Sequence, residues 1–314
     1  MLEVRKIYFN YNGDSVLENI SFSLTKGENL AVIGESGCGK STLLKLIYGI
    51  HDTLSGNISY NGIAVAGPSS SLIAGAPYVR YLPQDFGLMP YITAGENVGK
   101  FLSNTNRRKK NQRIAELLDL VGMTEFTNVK PQYLSGGQQQ RIALAMVLAP
   151  GPELLLLDEP FSQIDAFRAN TLRRNLFGFF RESGITCIIA THNSPDFLPF
   201  SDKVLALKEG RATAFGETKE IYNHPPDYYT ASLFGDVNEI PATWLSGVHS
   251  GTKLIYPHHV YECENGMKAI VSHCYFTGGN FLIQATVEST AVFYHGATHR
   301  SDGEEVRLCF TPQS

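Results

Sequence analysis

The stretch that decides the fold of this chain is Gly34-Glu35-Ser36-Gly37-Cys38-Gly39-Lys40-Ser41-Thr42. It fits the phosphate-binding loop pattern G-x-x-x-x-G-K-[ST] at every position. Residues 29–33, just before it, have the apolar composition of a short strand, and residues 43–50, just after it, have the apolar spacing of a helix. A strand, a glycine-rich loop and a helix in this order predict a site for the phosphates of a nucleotide rather than an ordinary turn.

The residue types of this loop suit a dense anion such as a triphosphate. Glycine has no Cβ, so the backbone can curl and direct successive N–H groups inward. The helix that begins near Lys40 adds its positive pole. Lys40 is predicted to bind the β- and γ-phosphates of ATP, and the Ser41 hydroxyl to bind Mg²⁺. The loop residues predicted to contact the nucleotide are Gly34, Ser36, Gly37, Cys38, Gly39, Lys40, Ser41 and Thr42.

Two carboxylates follow a second apolar stretch. Residues 154–157 are consecutive leucines, which predict a parallel strand that is buried on both faces. This strand leads into Asp158 and Glu159, at the edge where α/β sheets bind ligands. We expect Asp158 to hold Mg²⁺ and Glu159 to be the general base that orients or deprotonates the attacking water, although a plain turn at the strand end is the alternative.

Other features are less specific when each is taken alone. His192 follows a strand predicted at residues 185–190, and this position favours a γ-phosphate contact over a structural role. Residues 134–141, Leu-Ser-Gly-Gly-Gln-Gln-Gln-Arg, precede or open a helix and offer bare backbone amides, which is a weak anion-binding signal. Tyr11 could stack on a purine base or pack in the core, and the local sequence does not decide between these roles.

Composition limits the class of protein. The 314 residues are enough for about two domains. The 26 Lys and Arg residues against 30 Asp and Glu give a net charge of −4, which does not indicate a nucleic-acid-binding protein. The basic run at residues 107–110 is predicted to be the solvated start of a helix. We expect neither a membrane span nor a secretion signal, because no apolar run of about 18 residues is present and the N-terminus lacks an apolar core.

The cysteines give a prediction about redox state. Their number is odd and no two form a C-x-x-C pair, so we expect no disulfide scaffold and a reducing, cytoplasmic location. Cys38 lies close to a helix N-terminus, where we expect thiolate character. The five cysteines are Cys38, Cys187, Cys263, Cys274 and Cys309.

Together these segments resemble the ATP-binding subunit of an ABC transporter over roughly residues 2–236. Residues 134–141 resemble the family signature LSGGQ with its usual continuation, and residues 154–160 resemble Walker B followed by the catalytic glutamate. Residues 162–165 resemble the D-loop. Gln84 resembles the Q-loop glutamine and His192 the switch histidine, and Tyr11 stands where the family places its adenine-stacking aromatic residue.

The resemblance implies a head-to-tail dimer, in which the signature of one subunit contacts the γ-phosphate of ATP bound to the other. The signature residues implied in this contact are Ser135, Gly136, Gly137 and Gln138. It also implies that Gln84 contacts Mg²⁺ and the attacking water and links the ATP site to the permease. The catalytic residues are then Glu159, His192 and Gln84, and the metal-binding residues are Ser41, Gln84 and Asp158.

The resemblance also implies partners and a location. The partners are transmembrane permease subunits, a second ATPase subunit (a homodimer is expected) and, indirectly, an extracytoplasmic solute-binding protein, with no nucleic acid. The implied location is the cytoplasmic face of the cell membrane, where the chain is peripheral.

The predicted architecture has two domains. Residues 1–236 form an α/β P-loop ATPase domain that includes a helical subdomain at about residues 85–135. Residues 237–314 show short strands with glycine turns, which predict a small all-β barrel of the OB type. This part resembles the TOBE-like barrel of import ATPases for iron, polyamine, sulfate, molybdate or sugars. The resemblance implies solute import, with ferric iron or polyamine favoured.

Two other functions stay open at this point. The chain could be a soluble ABC ATPase that is not coupled to transport, or a regulatory ATPase whose barrel senses a ligand. Histidines are frequent in the C-terminal part, and a metal-sensing site is one interpretation of them. We favour scattered surface histidines, because no ligand spacing recurs. These histidines are His249, His258, His259, His273, His295 and His299.

Overall fold

The computed structural model describes residues 1–245 and 250–312 of the chain. Its first unit ends at Thr218. The strands of this unit are β1 (Leu2–Tyr11), β2 (Asp14–Leu24), β3 (Asn29–Ile33), β4 (Ser55–Tyr60), β5 (Ile63–Ala64), β6 (Val79–Leu82), β7 (Leu154–Asp158), β8 (Thr186–Thr191), β9 (Lys203–Lys208) and β10 (Arg211–Glu217). Its helices are α1 (Lys40–Tyr48), α2 (Ala94–Val98), α3 (Arg107–Leu120), α4 (Gly136–Leu148) and α5 (Ala166–Ser183).

Two sheets build the first unit. An antiparallel sheet has the strand order β2-β1-β4-β5, and a larger sheet has the order β10-β9-β3-β8-β7-β6. In the larger sheet β6, β7, β8, β3 and β9 run parallel, while β10 pairs antiparallel with β9 at the edge. Apolar residues of α1, including Leu43 and Ile47, share one buried cluster with strands of both sheets. The mixed α/β P-loop fold that the sequence predicts is confirmed.

The parallel strands bring the predicted site residues to one edge. The leucines of β7 are buried, as their unbroken apolar run predicts, and the strand ends at Asp158. Strand β3 leads into the glycine-rich loop, β6 leads towards Gln84, and β8 ends immediately before His192. Because the carboxyl ends of parallel strands meet at the same edge of a sheet, these residues converge although they are far apart in sequence.

Helices α2, α3 and α4 contact one another beside this sheet edge. The basic run at residues 107–110 opens α3, and it is mostly exposed, as predicted. The Asn106 side chain caps the helix, since its Oδ1 accepts a hydrogen bond from the Lys109 backbone N–H at 3.0 Å. Within residues 1–245 and 250–312, no helix is both long enough and apolar enough to cross a lipid bilayer.

The second unit follows from Lys219. Helices α6 (Thr218–Asn223) and α7 (Tyr228–Ser232) come first, and the strands are β11 (Asn238–Pro241), β12 (Thr252–Ile255), β13 (Val260–Phe276), β14 (Phe281–Val287), β15 (Thr290–Gly296) and β16 (Glu305–Phe310). One antiparallel sheet pairs β11 with β12, and another has the order β15-β14-β13-β16. These antiparallel sheets, with a buried apolar core of their own, are consistent with the predicted small β-barrel.

The division between the units lies well before the boundary predicted at residue 236. The physical reason is aromatic packing within the second unit. The ring of Tyr222 stacks on that of Tyr256 with centroids 4.3 Å apart. The Tyr256 hydroxyl also donates a hydrogen bond to the Ala231 carbonyl oxygen at 3.3 Å. Helices α6 and α7 therefore pack with the C-terminal strands.

One disulfide joins Cys263 and Cys309, and this pairing is not predicted from the sequence, which indicates only that a disulfide scaffold is absent. The two Cα atoms are 5.9 Å apart, and the residues are separated by 46 positions in the sequence. They meet because β16 pairs with β13, and the pairing is irregular between Glu262 and Met267. The two cysteines are therefore close because their strands pair, and their spacing in the sequence does not predict this contact.

The C-terminal histidines give no metal site among the described residues. Across residues 1–245 and 250–312, the structure brings together no group of three or more His, Cys, Asp or Glu side chains that could hold a metal ion. His258 and His259 have ring centroids 4.3 Å apart. His249 lies outside the described residues.

Candidate nucleotide site

The glycine-rich loop connects β3 to α1, and its backbone conformation requires glycine. Gly39, which precedes the first residue of α1, has φ 106°, a left-handed conformation that favours glycine. A Cβ at this position would come within 2.6 Å of the Leu17 Cδ2 atom. The loop can therefore curl over the start of α1 only without a side chain at Gly39.

The ammonium group of Lys40 is held by the loop itself. Its Nζ donates hydrogen bonds to the carbonyl oxygens of Gly34 at 2.6 Å and Glu35 at 2.8 Å, and the side chain is buried. A buried cation with neutral partners leaves most of its charge available to an anion. Lys40 is thus placed to bind phosphate.

Asp158 lies at the end of β7 and accepts two side-chain hydrogen bonds. The Ser41 hydroxyl donates to Oδ1 at 3.0 Å, and the Tyr81 hydroxyl donates to Oδ2 at 3.1 Å. Burial raises the pKa of Asp158, while the bonds from Ser41 and Tyr81 act in the opposite direction. A serine hydroxyl next to a carboxylate is an oxygen donor set that fits Mg²⁺.

Glu159 and His192 form a pair at the same edge. The Nδ1 atom of His192 lies 2.7 Å from Glu159 Oε1, and the imidazole is 60% exposed whereas the carboxylate is 11% exposed. Glu159 has φ 49°, an uncommon conformation for a residue with a side chain. Its backbone N–H donates to the Ala190 carbonyl oxygen at 2.9 Å. This backbone fixes the direction in which the carboxylate points.

A cavity of about 360 Å³ lies at the glycine-rich loop, and Asp158 and His192 are not among its lining residues. Most of the predicted loop residues line it together with Gln84 and Glu159, whereas Gly34 and Cys38 do not. Val16 of β2 also lines it, and its apolar side chain carries no signal by which sequence reasoning would have found it. The lining residues are Val16, Ser36, Gly37, Gly39, Lys40, Ser41, Thr42, Gln84 and Glu159.

Cys38 differs from its prediction. Its side chain is buried, and its Sγ lies 4.0 Å from Lys40 Nζ. Burial raises the pKa of the Cys38 thiol more than the nearby Lys40 charge lowers it. The expected thiolate character is therefore wrong, because the helix N-terminus does not offset desolvation.

Tyr11 lies at the end of β1 and is 40% exposed. Its hydroxyl is 3.0 Å from the Nε2 atom of His51, and its ring meets those of Phe9 and His51 edge-on. The exposed ring is consistent with either role that the sequence left open. Adenine stacking by Tyr11 stays a prediction.

The signature residues lie at the start of α4, with a cavity of their own. Ser135 Oγ accepts from the Gln138 N–H at 3.3 Å, and Gln138 Oε1 accepts from the Ser135 N–H at 2.8 Å, so the pair forms a capping box. A Cβ at Gly137 would come within 2.6 Å of the Gln163 carbonyl oxygen. This cavity, also about 360 Å³, is lined by Ser135, Gly136, Gly137, Gln138, Arg141, Gln163, Ile164, Asp165 and Arg168.

Gln140 connects α4 to the loop after β7, and sequence reasoning missed it. The side chain is 1% exposed. Its Nε2 donates to the Glu159 carbonyl oxygen at 2.9 Å, and its Oε1 accepts from the Gln163 N–H at 3.0 Å. The signature helix and Glu159 are therefore held together within one chain. A glutamine within a polar run offers no local signal of burial, so only the fold identifies it.

Comparisons with known proteins agree with this geometry. A family model described as ABC transporter matches residues 17–162. An Fe(3+) ions import ATP-binding protein of Rhodococcus jostii is 43% identical over 98% of this chain and 96% of its own length. An Fe(3+) ions import ATP-binding protein of Pseudomonas fluorescens is 38% identical over 79% of this chain and 70% of its own length. A putrescine transport ATP-binding protein of Escherichia coli is 35% identical over 84% of this chain and 70% of its own length.

Solved structures give the same result for the first unit. A dimeric ATP-binding cassette in a post-hydrolysis state with ADP and Pi matches with a TM-score of 0.62 and 26% identity, over 69% of this chain and 99% of that one. The cbiO1 protein of Clostridium perfringens, part of the cbiONQ ABC transporter complex, matches with a TM-score of 0.62 and 27% identity, over 71% of this chain and 90% of that one. The chain therefore belongs to the ABC transporter family, as an ATP-binding subunit of the importer type.

Proposed function

We propose that this chain hydrolyses ATP with Mg²⁺ to power the uptake of ferric iron through a membrane permease. The main support for ATP hydrolysis is the position of the Glu159 carboxylate, which lines the cavity of the phosphate-binding loop and pairs with His192. The solute is supported by the ferric-iron import subunit of Rhodococcus jostii, which is similar over nearly the whole chain.

The loop binds the triphosphate. Its backbone N–H groups and the start of α1 attract the phosphates, and Lys40 exchanges its bonds to Gly34 and Glu35 for bonds to phosphate oxygens. Ser41 and Asp158 hold the magnesium site. Mg²⁺ held by these two side chains would supply positive charge that offsets the negative charge of the triphosphate.

Glu159 is the general base in this proposal. It orients a water for in-line attack on the γ-phosphorus and accepts its proton, while the bond from the γ-phosphorus to the β–γ bridging oxygen breaks and ADP leaves. His192 keeps the carboxylate in position through their 2.7 Å contact and presents its exposed edge to the γ-phosphate. Gln84 lines the same cavity and links it to the segment that contacts the permease.

A second copy of the chain completes the site. The signature cavity and the loop cavity have no lining residue in common, and the signature cavity lies at the start of α4, where the helix end attracts an anion. In a head-to-tail dimer, Ser135, Gly136, Gly137 and Gln138 contact ATP held by the partner. Permease subunits bind at the cytoplasmic face of the membrane, and a solute-binding protein delivers the solute from the other side.

Uptake measurements test the solute. A strain that lacks this gene is complemented with the wild-type gene or with a Lys40→Ala variant, and uptake of ⁵⁵Fe(III) and of radiolabelled putrescine is measured. We expect the wild-type gene alone to restore iron uptake. Restored putrescine uptake with unchanged iron uptake would favour polyamine, as in the Escherichia coli relative. No change in either would contradict both assignments.

A further inference from the structure

Tyr81 bonds to the carboxylate that the proposed function assigns to Mg²⁺, although no motif contains it. Its hydroxyl lies 3.1 Å from Asp158 Oδ2, on the opposite carboxylate oxygen from the 3.0 Å bond of Ser41. Two donors, one on each oxygen, fix both the position and the plane of a carboxylate. Ser41 and Tyr81 together therefore determine how the Asp158 carboxylate is oriented at the end of β7.

The fold holds Tyr81 in this place. Strands β6 and β7 are parallel, with Tyr81 opposite Leu156, so the long phenol side chain reaches the end of β7 where Asp158 lies. The ring packs against that of Tyr48 in α1, with centroids 5.5 Å apart. A phenol is protonated at neutral pH, so the Tyr81 hydroxyl donates a hydrogen bond to the Asp158 carboxylate.

The bond gives the carboxylate a fixed orientation before metal arrives. A metal site gains affinity when the atoms around its ligands hold those ligands in place, because less order is lost on binding. The Ser41 hydroxyl can donate a hydrogen bond to Asp158 and still direct a lone pair of its own oxygen at the metal. This arrangement requires that the Asp158 carboxylate does not rotate. The Tyr81 hydroxyl is the group that resists this rotation on the Oδ2 side.

We propose that Tyr81 is a positioning residue of the magnesium site: its hydroxyl orients the Asp158 carboxylate so that metal binds to the nucleotide complex more tightly. This inference rests on the proposed function. It predicts that removing the hydroxyl weakens metal binding and leaves binding of metal-free nucleotide unchanged.

The test measures metal binding directly. Mn²⁺ is titrated into the purified full chain with a saturating non-hydrolysable ATP analogue, and free Mn²⁺ is followed by electron paramagnetic resonance. In Tyr81→Phe the Kd for Mn²⁺ should rise about 10- to 100-fold, which is the range typical for the loss of a residue that hydrogen-bonds a metal ligand. The affinity for the analogue in EDTA should stay within twofold of wild type.

Tyr60→Phe is the matched control, because the Tyr60 hydroxyl also donates to a carboxylate, that of Glu153 at 3.2 Å. This control should leave the Kd for Mn²⁺ unchanged. If Tyr81→Phe does not fold, Tyr81→Met replaces it as a variant of similar size that also lacks the hydroxyl. An unchanged Kd for Mn²⁺ in the folded variant would overturn the inference. A wild-type chain without metal-dependent nucleotide binding would overturn the proposed function and this inference with it.

Discussion

His192 Nδ1 lies 2.7 Å from Glu159 Oε1, so an exposed imidazole and a largely buried carboxylate form one hydrogen-bonded pair. The backbone of Glu159 is held by its own contacts. Its N–H donates to Ala190 in β8, and its carbonyl oxygen accepts bonds from Gln140 and Ser162. The geometry of the pair therefore depends on the central sheet and on the signature helix at the same time.

The His192 pair predicts a specific kinetic effect. His192→Ala should lower kcat for ATP hydrolysis about 100-fold, because the carboxylate loses its partner and the γ-phosphate loses a donor. The Kd for ATP should change less than threefold. Steady-state hydrolysis and equilibrium nucleotide binding measure the two quantities. His273→Ala, at an exposed imidazole of the second unit, is the control and should hydrolyse ATP at the wild-type rate.

Gln140→Ala should lower both stability and turnover. The variant leaves the Glu159 carbonyl oxygen and the Gln163 N–H without this partner in a buried place, at a cost of about 2–3 kcal/mol in the free energy of unfolding. Urea denaturation of the purified chain measures this change. Gln139→Ala is the matched control, because this neighbouring glutamine is less buried and its side-chain amide donates to the Leu134 carbonyl oxygen, which is far from Glu159 in the sequence. Equal effects of the two substitutions would argue against a special role for Gln140.

The second unit should lose stability in mild acid. Burial and the neighbouring His259 and His295 lower the pKa of His258 from its ordinary value of 6.5. As the pH falls through 6.5, the unfolded chain takes up this proton before the folded chain does, so the free energy of unfolding decreases. Trp244 is the single tryptophan of the chain and packs against Phe310 in this unit, so its fluorescence reports the transition.

His258→Gln tests the origin of this pH dependence. The variant should show a shallower loss of stability than wild type between about pH 7.5 and 5.5. A substitution at exposed His273 should leave the wild-type slope intact. An unchanged slope in His258→Gln would mean that other groups cause the acid effect.

Reduction of the Cys263–Cys309 disulfide should destabilise the second unit. The bond closes a long loop, with a sequence separation of 46, so its loss should cost about 2–4 kcal/mol. Trp244 fluorescence in urea, with and without dithiothreitol, measures the change. In a Cys263→Ser variant dithiothreitol should have no further effect, whereas Cys274→Ser should respond like wild type. Equal stability of the oxidised and reduced wild-type chain would contradict the prediction.

The local parts of the site could be predicted because short sequences determine them. The strand β3, the loop and α1 follow one another within a continuous stretch, and the unbroken leucine run of β7, followed by two carboxylates, is typical of a strand buried on both faces. Their order along the chain predicts a parallel sheet, and the sheet brings Asp158 and His192 to the same edge. The nucleotide site is therefore predictable from patterns of a few residues each.

The rest depends on contacts between distant segments. In the sequence, Tyr81 looks like an ordinary aromatic residue of a strand, and its role depends on the pairing of β6 with β7. Gln140 looks like a surface residue, and its role depends on the packing of α4 against the loop after β7. The disulfide depends on the pairing of β13 with β16. The division between the units depends on the stacking of Tyr222 on Tyr256. None of these pairs has a spacing or composition that marks it in the sequence.

The most direct test of the account is ATP hydrolysis by Glu159→Gln, measured in the same preparation as ATP binding. Glutamine keeps the size of the side chain and can still contact His192, but it cannot accept the proton of the attacking water. We predict that turnover falls at least about 100-fold, that ATP binding is retained, and that a dimer accumulates with ATP. Turnover within about threefold of wild type would contradict the role of Glu159 as the general base.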